Sequence, residues 1–174
     1  MSDPRILIGT MRLIDPFNIH PDDVDLRSII AALCRLPRYS GQTRKTYRVA
    51  EHVVHLYRAV PEHLRKAVLL HEASEGMGFL DLPHPIKMNI PFYKEMEEKL
   101  LRVVFAKFDV PYRDMIELND YDRRICQDEM LQVFPEPWNL GLEPLGDVTV
   151  EFWGEEYCLE ALTRLFVKEG LINA

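Results

Sequence analysis

Prolines and apolar spacing together constrain what this chain can fold into. Pro21, Pro37, Pro61, Pro91, Pro111 and the Pro135/Pro137 pair divide it into stretches, and most stretches carry apolar residues at three- and four-residue steps. A proline is tolerated in the first turn of a helix, where its missing N–H would lack a partner anyway, and it ends a helix that it interrupts. The pattern predicts an all-α chain of short amphipathic helices.

Only the N-terminus reads as extended: Arg5–Ile8 and Met11–Ile14 flank Gly9 as a small hairpin ending at Asp15-Pro16. A first helix runs from Pro21 through Val24, Ile29, Ile30, Leu33 and Leu36 to Pro37. Arg38–Gln42 is a turn, with Thr43 as N-cap of a second helix lined by Val49, His52, Val53, Leu56 and Val60. Pro61 opens a third, in which Leu64, Ala67, Val68, His71 and Glu75 share a face until Gly76 or Gly78. Phe79–Lys87 holds too much proline for regular structure and reads as a loop with a helical turn. Three further helices cover Tyr93–Phe108, Pro111 to Val133 and Phe152–Val167, with a loop over Trp138–Val150.

The chain has 174 residues, 47% of them hydrophobic, which suits a single domain over 1–174 with one core. Its 21 basic and 28 acidic residues give a net charge of -7, which argues against binding a nucleic-acid backbone but leaves room for a small phosphorylated ligand. Arg35, Arg38, Arg44, Lys45 and Arg48 form one basic segment, expected at solvated helix ends and loop. Cys34, Cys126 and Cys158 are far apart and form no C-x-x-C pair. Together with an N-terminus that lacks a signal-peptide core and the absence of an apolar run long enough to span a membrane, they predict a cytoplasmic protein with no membrane partner.

Four polar residues break the apolar stripes: His52, the pair His71-Glu72, and Asp122. A buried polar group without a partner costs roughly 1–3 kcal/mol, so several on core-facing positions require one another or a cation. A lone histidine on an apolar face is more often a hydrogen-bonded core residue than a ligand, and His55 and His63 are read as surface or structural residues. The quartet differs because His52 and Asp122 lie on inward-facing helices separate from that of His71-Glu72, as a site between packed helices requires. Two imidazoles and two carboxylates suit one divalent transition ion (manganese, iron, cobalt or zinc rather than calcium) with positions left for water and a phosphate oxygen.

Other mechanisms lack their motifs. His71-Glu72-Ala73-Ser74-Glu75 has glutamate where the zinc-protease signature H-E-x-x-H needs its second histidine. No G-x-x-x-x-G-K-[ST] loop and no G-x-S-x-G elbow is present.

The order of the quartet resembles that of HD-domain metal-dependent phosphohydrolases, and the likeness covers roughly residues 5–135. Arg38-Tyr39-Ser40-Gly41-Gln42-Thr43 with Tyr47-Arg48-Val49-Ala50-Glu51-His52 is similar to the family's R-F-x-G-H-T and Y-S-V-A-x-H blocks. Leu69-Leu70-His71-Glu72-Ala73-Ser74-Glu75 is similar to L-L-H-D-A-S-E, and Leu80–Lys87 to G-D-I-x-x-P-L-K. Asp122-Arg123-Arg124 with Glu129 resembles its final A-D-x-x-x-L-x-x-E.

The nearest likeness is to phage dATP triphosphohydrolases and bacterial 5'-deoxynucleotidases. It implies a compact HD-type helical bundle that assembles as a homodimer or homohexamer and hydrolyses deoxynucleotides. The activity implied first is release of triphosphate from a dNTP. A 5'-deoxynucleotidase acting on dNMPs is the alternative.

Carried over by position, the resemblance makes His52, His71, Glu72 and Asp122 the metal ligands, with magnesium on the substrate phosphates as a further option. Glu75 becomes the base, which its four-residue spacing from His71 on one helix face also favours. Asp81 becomes an acid near the scissile phosphate, Arg38 and Lys87 the phosphate-binding cations, and Tyr39 and Pro85 contacts to base or sugar; core packing is the competing reading of Tyr39. Two departures stand out. Glu72 replaces the family's aspartate and reaches about 1 Å farther, and the loop from Glu72 to Asp81 is one residue longer. The first motivates a third reading, a non-catalytic nucleotide-binding protein.

Overall fold

The structure, a computed structural model, describes residues 4–173. Expectations that extend to residues 1–3 or 174 lie in that part outside the described residues. The chain is mostly helical with one small antiparallel hairpin, as its periodicity predicts. Strands β1 (Ile6–Leu7) and β2 (Leu13–Ile14) pair Ile6 with Ile14 and Leu7 with Leu13. The ladder is shorter than expected because Ile8 N–H donates to the Arg12 carbonyl and Met11 N–H to the Ile8 carbonyl, which commits those residues to the turn.

Pro21–Asp23 forms only a 3-10 turn, and helix α1 is Leu26–Leu33. The Asp25 carboxylate accepts the N–H groups of Arg27 and Ser28, so the helix begins there rather than at the proline. Leu36 falls beyond its end. Thr43 does not cap the next helix: its hydroxyl donates to the Lys45 carbonyl at 2.6 Å. Arg44 instead spends its N–H and Nε on Val133 and Gln132 carbonyls at the end of α7 (Tyr112–Val133), which keeps this stretch out of a helix. Loop 37–48 closes where Arg38 N–H meets the Tyr47 carbonyl at 2.8 Å, and α2 (Val49–Ala59) follows.

Helix α2 is buried without a break from Val49 to Tyr57, so Glu51, His52 and His55 enter the interior with their apolar neighbours. Pro61 caps a 3-10 turn, Glu62–Leu64, and is not the first residue of an α-helix. The third expected helix is two: α3 (Arg65–His71) stops, Glu72 adopts φ −95° and ψ 14°, and α4 (Ala73–Gly76) resumes. Helix α5 (His84–Met88) is the helical turn expected among the prolines. Helix α6 (Pro91–Lys107) takes Pro91 into its first turn, α7 follows Pro111, and α8 is Glu155–Lys168. Among the described residues no helix is long and apolar enough to cross a membrane.

One apolar cluster joins Ile14 to side chains of α1, α2, α3, α4, α6, α7 and α8. The tightest joint is α1 on α4, where a Cβ on Gly76 would lie 2.7 Å from Ile29 Cγ2, so only glycine permits this approach. The basic segment is more structural than its composition suggests. Arg35 pairs with Glu155, Arg48 Nε donates to the Trp153 carbonyl, and Arg38 is buried.

Candidate metal centre

Helices α2, α3 and α7, with the break before α4, bring the quartet together. One ligand atom each from His52, His71, Glu72 and Asp122 lies within 4.8 Å of all the others. Adjacent residues on a regular helix point about 100° apart. The helix breaks at Glu72, and Glu72 Oε1 comes within 3.3 Å of His71 Nε2 and 3.6 Å of His52 Nε2. The added methylene therefore does not keep this carboxylate out of the cluster.

Hydrogen bonds fix which ring nitrogens face inward. His52 Nδ1 lies 2.6 Å from Glu129 Oε1, and His71 Nδ1 lies 2.6 Å from the Val68 carbonyl. Neither an ionised carboxylate nor a carbonyl can donate, so both Nδ1 atoms carry the proton. The two Nε2 atoms then converge at 3.4 Å, with Asp122 Oδ1 only 3.2 Å from that of His52. That Asp122 oxygen is buried without a well-directed donor. Two imidazole lone pairs and two carboxylate oxygens at this separation suit a shared cation, and the four residues fit a divalent metal ion.

The electrostatics lean the same way. Burial and the Arg38 guanidinium oppose protonation of His52, but Glu129, hydrogen-bonded at Nδ1, and Asp122, close to Nε2, prevail and lift its pKa to about 9. Burial works against ionisation of Glu72, yet the His71 and His52 rings and Arg38 hold it well below the usual carboxylate range. A cation at the cluster takes the place of a proton, so its binding weakens as pH falls.

Glu75 is buried beside this centre, and its Oε2 has no hydrogen-bond partner. Burial, then the charges of Glu72 and Asp81, push its pKa well above the ordinary value. The break at Glu72 separates it from His71, so the two do not share the face of one regular helix; burial among carboxylates singles Glu75 out instead. Asp81 Oδ2 accepts the Tyr39 N–H at 3.1 Å, and burial raises its pKa too.

The two cations expected to bind phosphate already have partners. Arg38 reaches Glu72 Oε1 and Glu129 Oε2, both at 3.3 Å, and its buried Nε is left without an acceptor. Lys87 pairs with Glu97 at 2.9 Å. Tyr39 follows the core-packing reading, with its ring on Tyr47 and Phe134 and its hydroxyl on Glu129. Its backbone, at φ 54°, sits in the left-handed region ahead of Ser40 at 52° and Gly41 at 71°. That conformation is costly for a tyrosine and is retained where it aims the N–H at Asp81. Pro85 is exposed on α5, and its carbonyl accepts from Asn89.

Glu129, Tyr47 and Glu97 are the residues that sequence reasoning left without roles. Glu129 carries a signal, since it lies seven residues, or two helical turns, after Asp122 on the inward side of α7. A groove of about 640 Å³ between the hairpin and α1 extends to Glu75, with Ser28, Ala31 and Ala32 along it.

No family model matches the chain. It is similar to the uncharacterized protein YfdR of Escherichia coli, 32% identical over 119 residues that cover 64% of this chain and 66% of YfdR. It is also similar to the uncharacterized protein RCAP_rcc00048 of Rhodobacter capsulatus, 35% identical over 117 residues, 62% of this chain and 58% of the relative. The chain thus spans just under two thirds of the length of one relative and a smaller share of the other. Neither is named for an activity.

Proposed function

We propose that this chain is an HD-domain phosphohydrolase that cleaves deoxynucleotides, releasing triphosphate from a dNTP, with one divalent transition ion held by His52, His71, Glu72 and Asp122. The observation that carries the reading is the convergence of the two Nε2 atoms with two carboxylates while both Nδ1 atoms are committed elsewhere. A divalent ion bound there supplies Lewis acidity toward a phosphate oxygen and lowers the pKa of a water.

The chain's own groups do the rest. Glu75, with its pKa raised by burial and by Glu72 and Asp81, is a stronger base than an exposed carboxylate and takes the proton of the water that attacks the α-phosphorus. Arg38, held between Glu72 and Glu129, places positive charge beside the phosphate. Lys87, held by Glu97, adds positive charge on the Glu75 side. The groove beside Glu75 has room for a deoxynucleoside. The assembly is a homo-oligomer on the same reading.

Incubating the protein with each dNTP and dNMP under magnesium, manganese, cobalt and zinc, with chelator controls, tests the proposal. Turnover of dNTPs is expected; turnover of dNMPs alone reassigns the chain as a 5'-deoxynucleotidase. Nucleotide binding without turnover under any ion makes it a non-catalytic binder. Glu75→Ala should abolish turnover and leave metal content unchanged; loss of the metal as well makes Glu75 a ligand.

A further inference from the structure

Glu129 is fully buried, touches none of the positions assigned to substrate except Arg38 and Tyr39, and takes four donors. Its Oε1 accepts from His52 Nδ1 at 2.6 Å and Tyr47 hydroxyl at 2.9 Å. Its Oε2 accepts from Tyr39 hydroxyl at 2.5 Å and faces Arg38 Nη2 at 3.3 Å. An ionised carboxylate suits this arrangement, because it accepts at both oxygens while Arg38 can only donate and His52 Nδ1 carries a proton. The same Arg38 guanidinium extends from Glu129 to Glu72 Oε1. One carboxylate thus orients His52 on α2 directly and Glu72, at the break between α3 and α4, through Arg38.

We infer that Glu129 is the positioning residue of the metal centre: it holds His52 as the tautomer whose Nε2 faces the ion and, through Arg38, fixes the carboxylate that replaces the family's aspartate. This rests on the reading of the quartet as a metal site. The longer Glu72 side chain has more rotamers than an aspartate, so a fixed guanidinium beside it limits the entropy lost on ligation. Tyr39 and Tyr47 in turn hold Glu129, so loop 37–48 contributes to a centre none of whose four ligands it carries.

Titrating Co²⁺ alone into the metal-free full chain, read by visible absorption and by competition with a chelator, tests the role apart from turnover. Glu129→Gln should bind Co²⁺ about ten- to a hundredfold more weakly and with an altered spectrum, while Glu129→Asp recovers part of the loss. Wild-type protein that binds no Co²⁺ overturns the metal centre itself. Wild-type binding with an equal affinity and an identical spectrum in Glu129→Gln overturns the positioning role alone. Should Glu129→Gln fail to fold, nitrogen-15 NMR of the histidine rings in Zn²⁺-loaded wild type decides: His52 protonated at Nδ1 supports the inference, and protonation at Nε2 overturns it.

Discussion

Stretches 79–90 and 134–154 are both interrupted by prolines, both largely irregular and both expose apolar side chains, yet their backbones are held in opposite ways. In 134–154, side chains from elsewhere take the N–H groups. Gln127 accepts from Leu140 and Leu142, Asp128 from Leu145 and Gly146, Gln132 from Val150, and Glu51 from Glu151, Phe152 and Trp153. In 79–90 the backbone bonds are local, such as Ile86 N–H to Pro83 and Ile90 N–H to Lys87. The main side-chain ties across it are Asp81 to the Tyr39 N–H, Tyr93 hydroxyl to the Leu80 carbonyl, and Lys87 to Glu97. Irregular backbone is rigid where buried polar side chains replace a ladder, and the stretch that lacks them is the one carrying Asp81 and Lys87 beside Glu75.

The sharpest way to break this contrast is Glu51→Ala. Glu51 is fully buried, and its loss strips three backbone N–H groups of their acceptor at 2.8 to 3.1 Å. Each orphaned donor costs roughly 1–3 kcal/mol, reduced where water can reach it, so a loss of about 3 kcal/mol is expected in urea unfolding. A loss below 1 kcal/mol would mean that the loop is held by its apolar contacts instead. Asp128→Ala removes two such acceptors nearer the surface and should cost about 1–2 kcal/mol. In both variants amide exchange should accelerate across 145–153 while 84–90 stays as fast as in wild type.

This contrast explains what the sequence could and could not disclose. Helices and hairpin were legible because apolar periodicity and prolines act locally, and the quartet because polar residues inside apolar stripes need a partner. The break at Glu72 was not legible, since neither proline nor glycine marks it. The fixing of 134–154 was invisible for a different reason: its acceptors lie on α2 and α7, and nothing in the loop's own residues names them. Arg38 and Lys87 read as free cations for the same reason, because Glu129 and Glu97 sit on helices that only the fold brings close. Glu129 was visible as an inward residue of α7, but its role depends on Tyr39 and Tyr47 from a loop.

Lys87 lies in the loosely tied stretch and pairs with Glu97. Its pair with Glu97 is partly exposed, so Lys87→Ala should change unfolding free energy by less than about 1 kcal/mol. Turnover of the deoxynucleotide identified by the screen should nevertheless fall at least about tenfold, since a cation that neutralises developing phosphate charge is worth more in the transition state than in the fold. Equal losses in both measurements would make Lys87 a structural residue.

The smallest effect is expected at the apolar residues of the loosely tied stretch. Ile86 and Met88 on α5 are each 50% exposed, so Ile86→Ser with Met88→Ser removes little buried area and should shift stability by no more than about 0.5 kcal/mol. A loss above 1.5 kcal/mol would require that these side chains be covered in solution. A second copy is the occupant the proposed homo-oligomer supplies, and it makes the loss depend on protein concentration, because dissociation then accompanies unfolding. Repeating the urea transition over a hundredfold range of concentration separates the cases. A concentration-independent loss would place the cover within the chain itself, and the stretch 79–90 would then be anchored by its apolar side chains as firmly as 134–154 is by hydrogen bonds.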